Sequence, residues 1–187
     1  MGKAIKFQIQ SSHPWHGVDP DWENNLINAI IEIPKGERSK FEIDKQSGLI
    51  KLDRVLAASV EYPMNYGIIP KSLGEDGDPL DILVLSHSPL PSLCMVRCRL
   101  LGAFKMNDQG VTDDKIIAIA DKDATLSHLK SMVDLPEHLK NELKHFFEQY
   151  TVLENKKVDF FGFENLEMAV HLIEQCLMRY EQKYLIS

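Results

Sequence analysis

Short runs of apolar residues, many of them alternating with polar residues, mark the chain from Ile27 to Ala120. A period of two is typical of strands with one buried face, and a short continuous apolar run is typical of strands buried on both faces. Turn-forming residues such as Pro34-Lys35-Gly36 and Asn107-Asp108-Gln109-Gly110 separate the runs. The predicted strands are Ile27–Ile33, Lys40–Ile43, Leu49–Asp53, Leu80–Ser86, Met95–Phe104 and Ile116–Ala120. Many short strands at this spacing predict a closed or partly closed barrel.

The apolar period becomes helical after Asp134, which is predicted to cap a helix that continues to Tyr150. This helix is amphipathic and is expected to pack on the barrel. A second helix is predicted from about Asn165 to Tyr184, and a short one over Thr125–Met132. Strands first and helices last predict a mainly-β (α+β) fold, and we expect one domain over residues 1–187.

Composition and charge narrow the functional classes. With 44% hydrophobic and 26% charged residues the chain is ordinary for a globular protein, and its net charge of −7 disfavours a nucleic-acid partner. Cys94, Cys98 and Cys176 cannot all pair and are interpreted as buried thiols of a reducing compartment. The N-terminus lacks a leader-type apolar run, and no segment approaches the ~20 apolar residues of a membrane span. We therefore expect a cytoplasmic protein with no membrane partner.

Three carboxylates, Asp76, Asp78 and Asp81, lie close together where a predicted strand begins. At ~4 Å and an effective dielectric of ~20, each like-charged pair costs roughly 4 kcal/mol. Such a cluster is tolerated when it is solvated or when cations bind to it, and hard oxygen ligands in a tight turn suit Mg²⁺ or Mn²⁺. An ordinary solvated turn explains this segment equally well when it is taken alone.

A second acidic turn contains Asp108, Asp113 and Asp114, in a predicted hairpin between two strands. Alone it too is explained by a solvated hairpin. If the two acidic turns converge at one end of the barrel, they build a site for several metal ions that stabilises both the attacking and the leaving oxygen.

Basic and phenolic residues supply candidate partners for an anionic substrate. Lys40 and Glu42 share one face of a predicted strand, Arg54 follows the next strand, and Tyr62 and Tyr66 flank a proline turn. Such groups neutralise and hold phosphate oxygens. The alternatives are a solvated strand face, a surface ion pair of little energetic value and tyrosines used for packing.

Several sequence blocks, in this order, resemble the family I soluble inorganic pyrophosphatases from about Ile30 to Lys157. The blocks are Ile31-Glu-Ile-Pro34, Lys40-Phe-Glu-Ile-Asp-Lys45, Asp53-Arg-Val55, Tyr62-Pro-Met-Asn-Tyr-Gly67, Glu75-Asp-Gly-Asp-Pro-Leu-Asp-Ile-Leu-Val84, Asp113-Asp-Lys-Ile-Ile-Ala118 and His145-Phe-Phe-Glu-Gln-Tyr150. The segment His13-Pro-Trp-His-Gly17 is similar to the N-terminal segment of plant-type members. The resemblance implies a five-stranded, OB-like closed barrel with flanking C-terminal helices and the active site at the mouth of the barrel.

The resemblance also implies residue roles. It assigns Asp76, Asp81 and Asp113 as Mg²⁺ ligands, Asp108 as a ligand of a further ion and Asp78 as the general base. It assigns pyrophosphate or phosphate binding to Lys40, Arg54, Tyr66 and Tyr150, and support of the site to Glu32, Glu42, Tyr62 and Lys115. The implied reaction is Mg²⁺-dependent hydrolysis of pyrophosphate to two orthophosphates by direct attack of a metal-bridging water, with Mn²⁺ as a possible substitute. This reaction drives pyrophosphate-releasing biosynthesis forward.

Two positions depart from the family pattern. Thr151 stands where many members have a phosphate-contacting lysine, and Gln109 stands where some bacterial members have a glutamate. Lys156 or Lys157 is a candidate for the missing positive charge. Because neither departure touches a metal ligand, we expect an active enzyme, in which a lost phosphate contact either raises the Michaelis constant or weakens product binding. We also expect a homo-oligomer, with a hexamer favoured over a dimer because the chain is short.

Two other functions remain as alternatives. A nucleotide or polyphosphate hydrolase is the nearest enzymatic one, although the sequence has no P-loop pattern GxxxxGK[ST]. An OB-like oligonucleotide-binding module is the non-enzymatic one, and it predicts a basic groove with aromatic platforms, which the acidic loops oppose.

Overall fold

The structure is a computed structural model that describes residues 13–154 and 156–185. Its strands and helices are β1 (Leu26–Ile33), β2 (Ser39–Ile43), β3 (Ile50–Val55), β4 (Asn65–Ile68), β5 (Asp81–Leu85), β6 (Met95–Asp108), β7 (Val111–Thr112), β8 (Lys115–Ala120), α1 (Glu137–Gln149), β9 (Val158–Glu164) and α2 (Leu166–Tyr184). Short 3₁₀ turns lie at Ala124–Leu126 and Val152–Glu154.

Five of the strands close into a ring. β1 pairs with β4 on one side and with β6 on the other, both antiparallel. β4 pairs with β5, β5 pairs in parallel with β8, and β8 pairs with β6, which completes the circle. The predicted five-stranded closed barrel with C-terminal helices is therefore confirmed. β2 and β3 form a separate two-stranded sheet, and β9 extends the barrel sheet along β6.

Both faces of the barrel strands are buried, against different helices. On β5 and β8, Leu83 and Ile117 belong to the cluster that contains Phe146 and Phe147 of α1. Their sequence neighbours point the other way because side chains alternate along a strand, and they join the cluster that contains Ile173 of α2. This explains why the chain shows continuous apolar runs there instead of an alternation with polar residues.

The two helices begin at different kinds of residue. Asn165 caps α2, as predicted, and its side chain accepts a hydrogen bond from the Met168 N–H at 3.0 Å. The predicted cap at Asp134 is wrong, because α1 begins after Pro136 without a side-chain cap. The Asp134 carboxylate instead accepts hydrogen bonds from the N–H groups of Lys130 and Ser131, both at 2.9 Å, and so closes the preceding turn.

The short helix predicted over Thr125–Met132 is also absent from the described chain. Only the turn Ala124–Leu126 forms there, and the Asp123 carboxylate caps it by accepting from the Thr125 N–H at 3.1 Å. Leu129 and Met132 are buried in the core that contains α1, so their apolar character reflects tertiary packing and not helical periodicity.

Three strands were not predicted: β4, β7 and β9. All four residues of β4 are buried, so no alternation marks it, and β7 has only two residues. β9 lies between the two helices, where Gly162 adopts a φ of +129° and the pairing register with β6 shifts. β6 itself continues to Asp108, beyond the predicted end at Phe104. This extension carries an acidic residue to the end of the barrel.

Three further features bear on the sequence-based expectations. Cys94, Cys98 and Cys176 are free thiols; Cys98 and Cys176 are buried as predicted, whereas Cys94 is only half-buried, so the prediction is wrong there. None of the helices in the described part of the chain combines the length and the apolar composition that crossing a bilayer requires. The segment His13–Gly17 packs against the barrel through Trp15, whose side chain is buried.

Candidate active site

A cavity of about 570 Å³ lies where the acidic turns, β2 and the two helices meet. Most of the predicted site residues line it: Glu32, Lys40, Glu42, Tyr62, Tyr66, Asp76, Asp78, Asp81, Asp108, Asp113 and Tyr150. The two acidic turns therefore converge on one cavity, as the sequence analysis required. Arg54 and Lys115 are the predicted site residues that do not line it within the described chain.

The loop from Ile69 to Asp81, called here the acidic loop, has a tightly closed tip. The Gly74 N–H donates to the Asp78 carbonyl at 2.6 Å, and the Asp78 N–H donates to Asp76 Oδ1 at 2.9 Å. A Cβ on Gly74 would lie 2.7 Å from Asp76 Oδ1, so only glycine fits there. The loop backbone therefore fixes the relative positions of two of the predicted functional carboxylates.

Asp81, the first residue of β5, lies in a charged cluster with Lys115 and Asp113. The Lys115 ammonium donates to Asp81 Oδ2 at 2.7 Å and to Asp113 Oδ1 at 2.8 Å, and the Tyr66 hydroxyl also donates to Asp81. Burial alone would lower the pKa of Lys115, but the two carboxylates raise it above its ordinary value. This buried cation holds the two predicted ligands on one side of the cavity.

Burial raises the pKa of three acids that line the cavity. It raises the pKa of Asp113 to about 6 in spite of the opposing charge of Lys115, and it raises the pKa of Glu32 to about 8. It also raises the pKa of Asp76. Glu32 is almost fully buried and accepts a hydrogen bond from the Ile43 N–H at 2.6 Å, so it connects β1 to β2 at the cavity.

The donor set fits divalent cations with oxygen ligands. Asp108 Oδ1 is buried and finds no hydrogen-bond partner among residues 13–154 and 156–185. A buried acceptor without a partner is costly, and a cation would satisfy it. No three His, Cys, Asp or Glu side chains of the described residues are already gathered into a metal cage. The carboxylates therefore line the cavity, but no three of the described ones lie close enough together to form a metal site as they stand.

Lys40 and Tyr150 also line the cavity. Lys40 Nζ lies 2.7 Å from Glu42 Oε1 and 3.6 Å from Asp53 Oδ2. Burial would lower the pKa of Lys40, but the hydrogen bond and charge of Glu42 raise it. Tyr150 lies at the end of α1, and burial raises its pKa to about 12, so its hydroxyl stays protonated as a donor.

Arg54 lies near Tyr150 but does not line the cavity within the described chain. Its Nε donates to Glu154 Oε1 and its Nη1 to Asp53 Oδ2, at 2.7 Å and 2.6 Å. The guanidinium lies 6.0 Å from the centre of the Tyr150 ring. Arg54 is therefore held next to Tyr150 by two acidic partners. Contact with a substrate requires the guanidinium to leave one of them.

The positions that depart from the family pattern have structural roles or face the cavity. Thr151 is buried, and its hydroxyl donates to the Lys156 carbonyl at 3.4 Å. Lys156 Nζ lies 3.7 Å from Glu154, and Lys157 Nζ lies 2.6 Å from Asp159. Neither lysine lines the cavity among the described residues, whereas Gln109 does.

Sequence reasoning missed two contributions to the cavity. Lys45, in the turn between β2 and β3, pairs with Asp78 Oδ1. Its only sequence signal was its place in the block Lys40–Lys45. The second contribution is one face of α2, which includes Met168, Leu172 and Arg179. No role in the site was predicted for that face from the sequence.

Comparison with known proteins gives a consistent family. A model of the inorganic pyrophosphatase family matches residues 29–181. The chain is 42% identical over 175 residues to soluble inorganic pyrophosphatase 2 of Chlamydomonas reinhardtii, covering 93% of this chain and 91% of that one. It is 43% identical over 185 residues to soluble inorganic pyrophosphatase PPA1 of Solanum tuberosum, covering 98% and 88%.

Solved structures agree. The inorganic pyrophosphatase of Thermus thermophilus superposes with a TM-score of 0.87 at 38% identity, over 91% of this chain and 99% of that one. That of Helicobacter pylori gives a TM-score of 0.84 at 41% identity, over 88% and 98%.

Proposed function

Because the chain belongs to the inorganic pyrophosphatase family and is an inorganic diphosphatase, we propose that it hydrolyses pyrophosphate in a Mg²⁺-dependent reaction at the cavity described above. The observation that carries this proposal is the convergence of two acidic turns with Lys40 and Tyr150 around one cavity. The unpartnered buried oxygen of Asp108 adds a direct reason for a cation there. Mn²⁺ also prefers oxygen ligands, so we expect it to substitute for Mg²⁺.

The metal ligands in this proposal are Asp76, Asp81 and Asp113, with Asp108 for a further ion. When bound, the ions would lower the pKa of a coordinated water and neutralise charge on the phosphate oxygens. Lys115 keeps Asp81 and Asp113 on one side of the cavity, and Tyr66 donates to Asp81. This support matters because groups that hold ligands in place affect metal affinity and activity by 10–100-fold.

Asp78 is the proposed general base. Its side chain is about half exposed at the mouth of the cavity, and Lys45 is its ionic partner. It accepts the proton of the attacking water as the water oxygen bonds to one phosphorus and the bridging P–O bond breaks. No covalent enzyme intermediate is needed, because positioning and charge neutralisation suffice for phosphoryl transfer.

Lys40 and Tyr150 hold the leaving phosphate, and Tyr66 is a further contact for pyrophosphate or phosphate. Arg54 joins them when it exchanges Asp53 or Glu154 for a phosphate oxygen. The bidentate geometry of a guanidinium suits that exchange. Three residues support these groups. Glu32 accepts a hydrogen bond from the Ile43 N–H, and Glu42 pairs with Lys40. Tyr62 packs against Tyr66.

A substrate panel tests this function. Release of orthophosphate is measured with pyrophosphate, tripolyphosphate and ATP, each with Mg²⁺, Mn²⁺ or Ca²⁺. We expect pyrophosphate with Mg²⁺ to give the highest kcat/KM. A preference for ATP, or full activity in EDTA, would contradict the proposal. Filter binding to single-stranded DNA tests the oligonucleotide-binding alternative in the same preparation, and we expect no binding.

The oligomeric state and location stay predictions. We propose a homo-oligomer, with a hexamer favoured over a dimer, in the cytoplasm. Exposed apolar side chains such as Phe161 and Met178 are available for contact between subunits. Light scattering distinguishes the two assemblies by mass.

A further inference from the structure

The acidic loop is held from outside by two elements that supply none of its carboxylates. One is the segment His13–Gly17: Trp15 Nε1 donates to the Ser72 carbonyl at 2.8 Å, and the Lys71 N–H donates to the Trp15 carbonyl at 2.9 Å. The other is α2. These contacts restrain the loop backbone next to Gly74 and do not involve the carboxylates of Asp76, Asp78 or Asp81.

Leu73 forms hydrogen bonds to α2 through both its N–H and its carbonyl group. The Leu73 N–H donates to the Cys176 carbonyl at 2.9 Å, and Arg179 Nη1 donates to the Leu73 carbonyl at 2.8 Å. Arg179 Nη2 also lies 3.6 Å from Glu75 Oε1. The Arg179 guanidinium therefore grips the loop on both sides of Gly74.

Gly74 passes this restraint on to the functional acids. Its N–H donates to the Asp78 carbonyl at 2.6 Å, and a Cβ in its place would lie 2.7 Å from Asp76 Oδ1. A shift of Leu73 or Glu75 is therefore expected to move the backbone that carries Asp76 and Asp78. Misplacement by about 1 Å can cost about 100-fold in rate.

Helix α2 is itself well packed, so it holds Arg179 in a fixed position relative to the loop. Its residues Ala169, Ile173 and Cys176 are buried against the barrel, and Tyr180 is buried beside Trp15, with ring centres 6.1 Å apart. The helix and the N-terminal segment therefore restrain the acidic loop as one packed unit.

We propose that Arg179 is a positioning residue for metal binding, which acts by fixing the backbone of the acidic loop through Leu73 and Glu75. This inference rests on the proposed role of Asp76 as a metal ligand. It adds a residue distant in sequence from every predicted site residue, and it gives the C-terminal helix a part in the reaction. Arg179 itself touches neither metal nor substrate in this account.

The test compares Arg179→Met with a matched control, Arg99→Met. Arg99 makes the same kinds of contact away from the cavity: its Nη1 donates to the Leu129 carbonyl at 2.6 Å, and its Nε lies 3.6 Å from Asp121. Both substitutions keep an apolar stem and remove the donors. A third variant, Arg179→Lys, keeps the charge and one donor.

Two quantities are measured for the wild type and each variant. The first is the Mg²⁺ concentration that gives half of the thermal stabilisation in the absence of substrate. The second is the steady-state rate, with KM for pyrophosphate separated from kcat at saturating Mg²⁺. We expect Arg179→Met to need roughly 10–100-fold more Mg²⁺ in the first measurement, with partial recovery in Arg179→Lys. Arg99→Met should respond to Mg²⁺ as the wild type does.

Three results would overturn the inference: a wild-type Mg²⁺ response in Arg179→Met, an equal shift in Arg99→Met, or a higher KM for pyrophosphate as the only change. The last would make Arg179 a substrate contact. A wild-type protein that does not respond to Mg²⁺ at all would refute the proposed metal site itself. The two failures are therefore distinguishable.

Discussion

Replacing Asp113 by Asn should stabilise the metal-free protein at alkaline pH while weakening its metal site. Burial raises the pKa of Asp113 to about 6 from an ordinary 3.8, and Lys115 only partly opposes this. The folded state therefore holds the Asp113 proton more tightly than the unfolded chain does. The stability that this proton contributes is complete below pH 3.8 and is lost as the pH rises through about 6.

The pKa difference sets the magnitude. Since one pKa unit corresponds to about 1.4 kcal/mol, ionised Asp113 costs the folded state roughly 3 kcal/mol at pH 8 and about 1 kcal/mol at pH 4.5. These are upper values because the side chain is 23% exposed. Asn cannot ionise, and its amide oxygen can still accept from the Lys115 ammonium, so the variant avoids this cost.

Urea unfolding followed by circular dichroism, in EDTA at pH 4.5 and pH 8, measures the difference. The surface residue Asp159, which pairs with Lys157, provides the control substitution Asp159→Asn. That change should stay within about 0.5 kcal/mol at both pH values. Addition of Mg²⁺ should stabilise the wild type by about 2.7 kcal/mol at 100 times the dissociation constant, and Asp113→Asn by less.

The reasoning is refuted if Asp113→Asn is less stable than the wild type in EDTA at pH 8. It is also refuted if the stability difference is the same at both pH values. Either result would mean that the bond to Lys115, and not the burial of the carboxylate, dominates the energetics of this acid.

Three other substitutions test separate parts of the structure. Asp78→Asn should keep the thermal response to Mg²⁺ and lower kcat by about 10²–10⁴-fold, and near-wild-type turnover would remove Asp78 as the base. Gly74→Ala places a Cβ 2.7 Å from Asp76 Oδ1 and should raise the Mg²⁺ requirement in the substrate-free thermal assay, where an unchanged requirement would argue against a rigid loop tip. Gly67→Ala places a Cβ 2.1 Å from the Ile30 carbonyl oxygen and should cost about 3 kcal/mol or more of unfolding free energy; a loss below 1 kcal/mol would contradict the close pairing of β1 and β4.

The barrel strands were predictable because their apolar runs are continuous and separated by turns. β4 was not, because the segment Tyr62–Gly67 contains a proline and its strand is only four residues long. Its tyrosines were interpreted as a turn, whereas Tyr66 lies in the strand. β9 was missed because Gly162 and a register shift interrupt it between two helices. Local patterns predict an element only where no longer-range contact determines its conformation.

The candidate site was predictable to the extent that its residues lie in compact sequence blocks. The aspartates of the acidic loop indicated a site once the second acidic turn and the other sequence blocks were considered with them. Arg179 has no such signal, since it lies one helical turn after Cys176 in an ordinary amphipathic helix. Its relation to the acidic loop exists only through the tertiary contact with Leu73. Arg54 was predicted in position but not in orientation, because the pairing with Glu154 joins distant parts of the chain.

The closed ring of strands also sets an order of events during synthesis. β8 lies between β5 and β6 in the ring, although it follows both in sequence. The barrel therefore cannot close before Ala120 has left the ribosome, and until then β5 and β6 each present an unpaired edge. Open edges of apolar strands promote pairing between chains. A nascent chain stalled before β8 is therefore expected to aggregate more readily than a chain that has closed the ring.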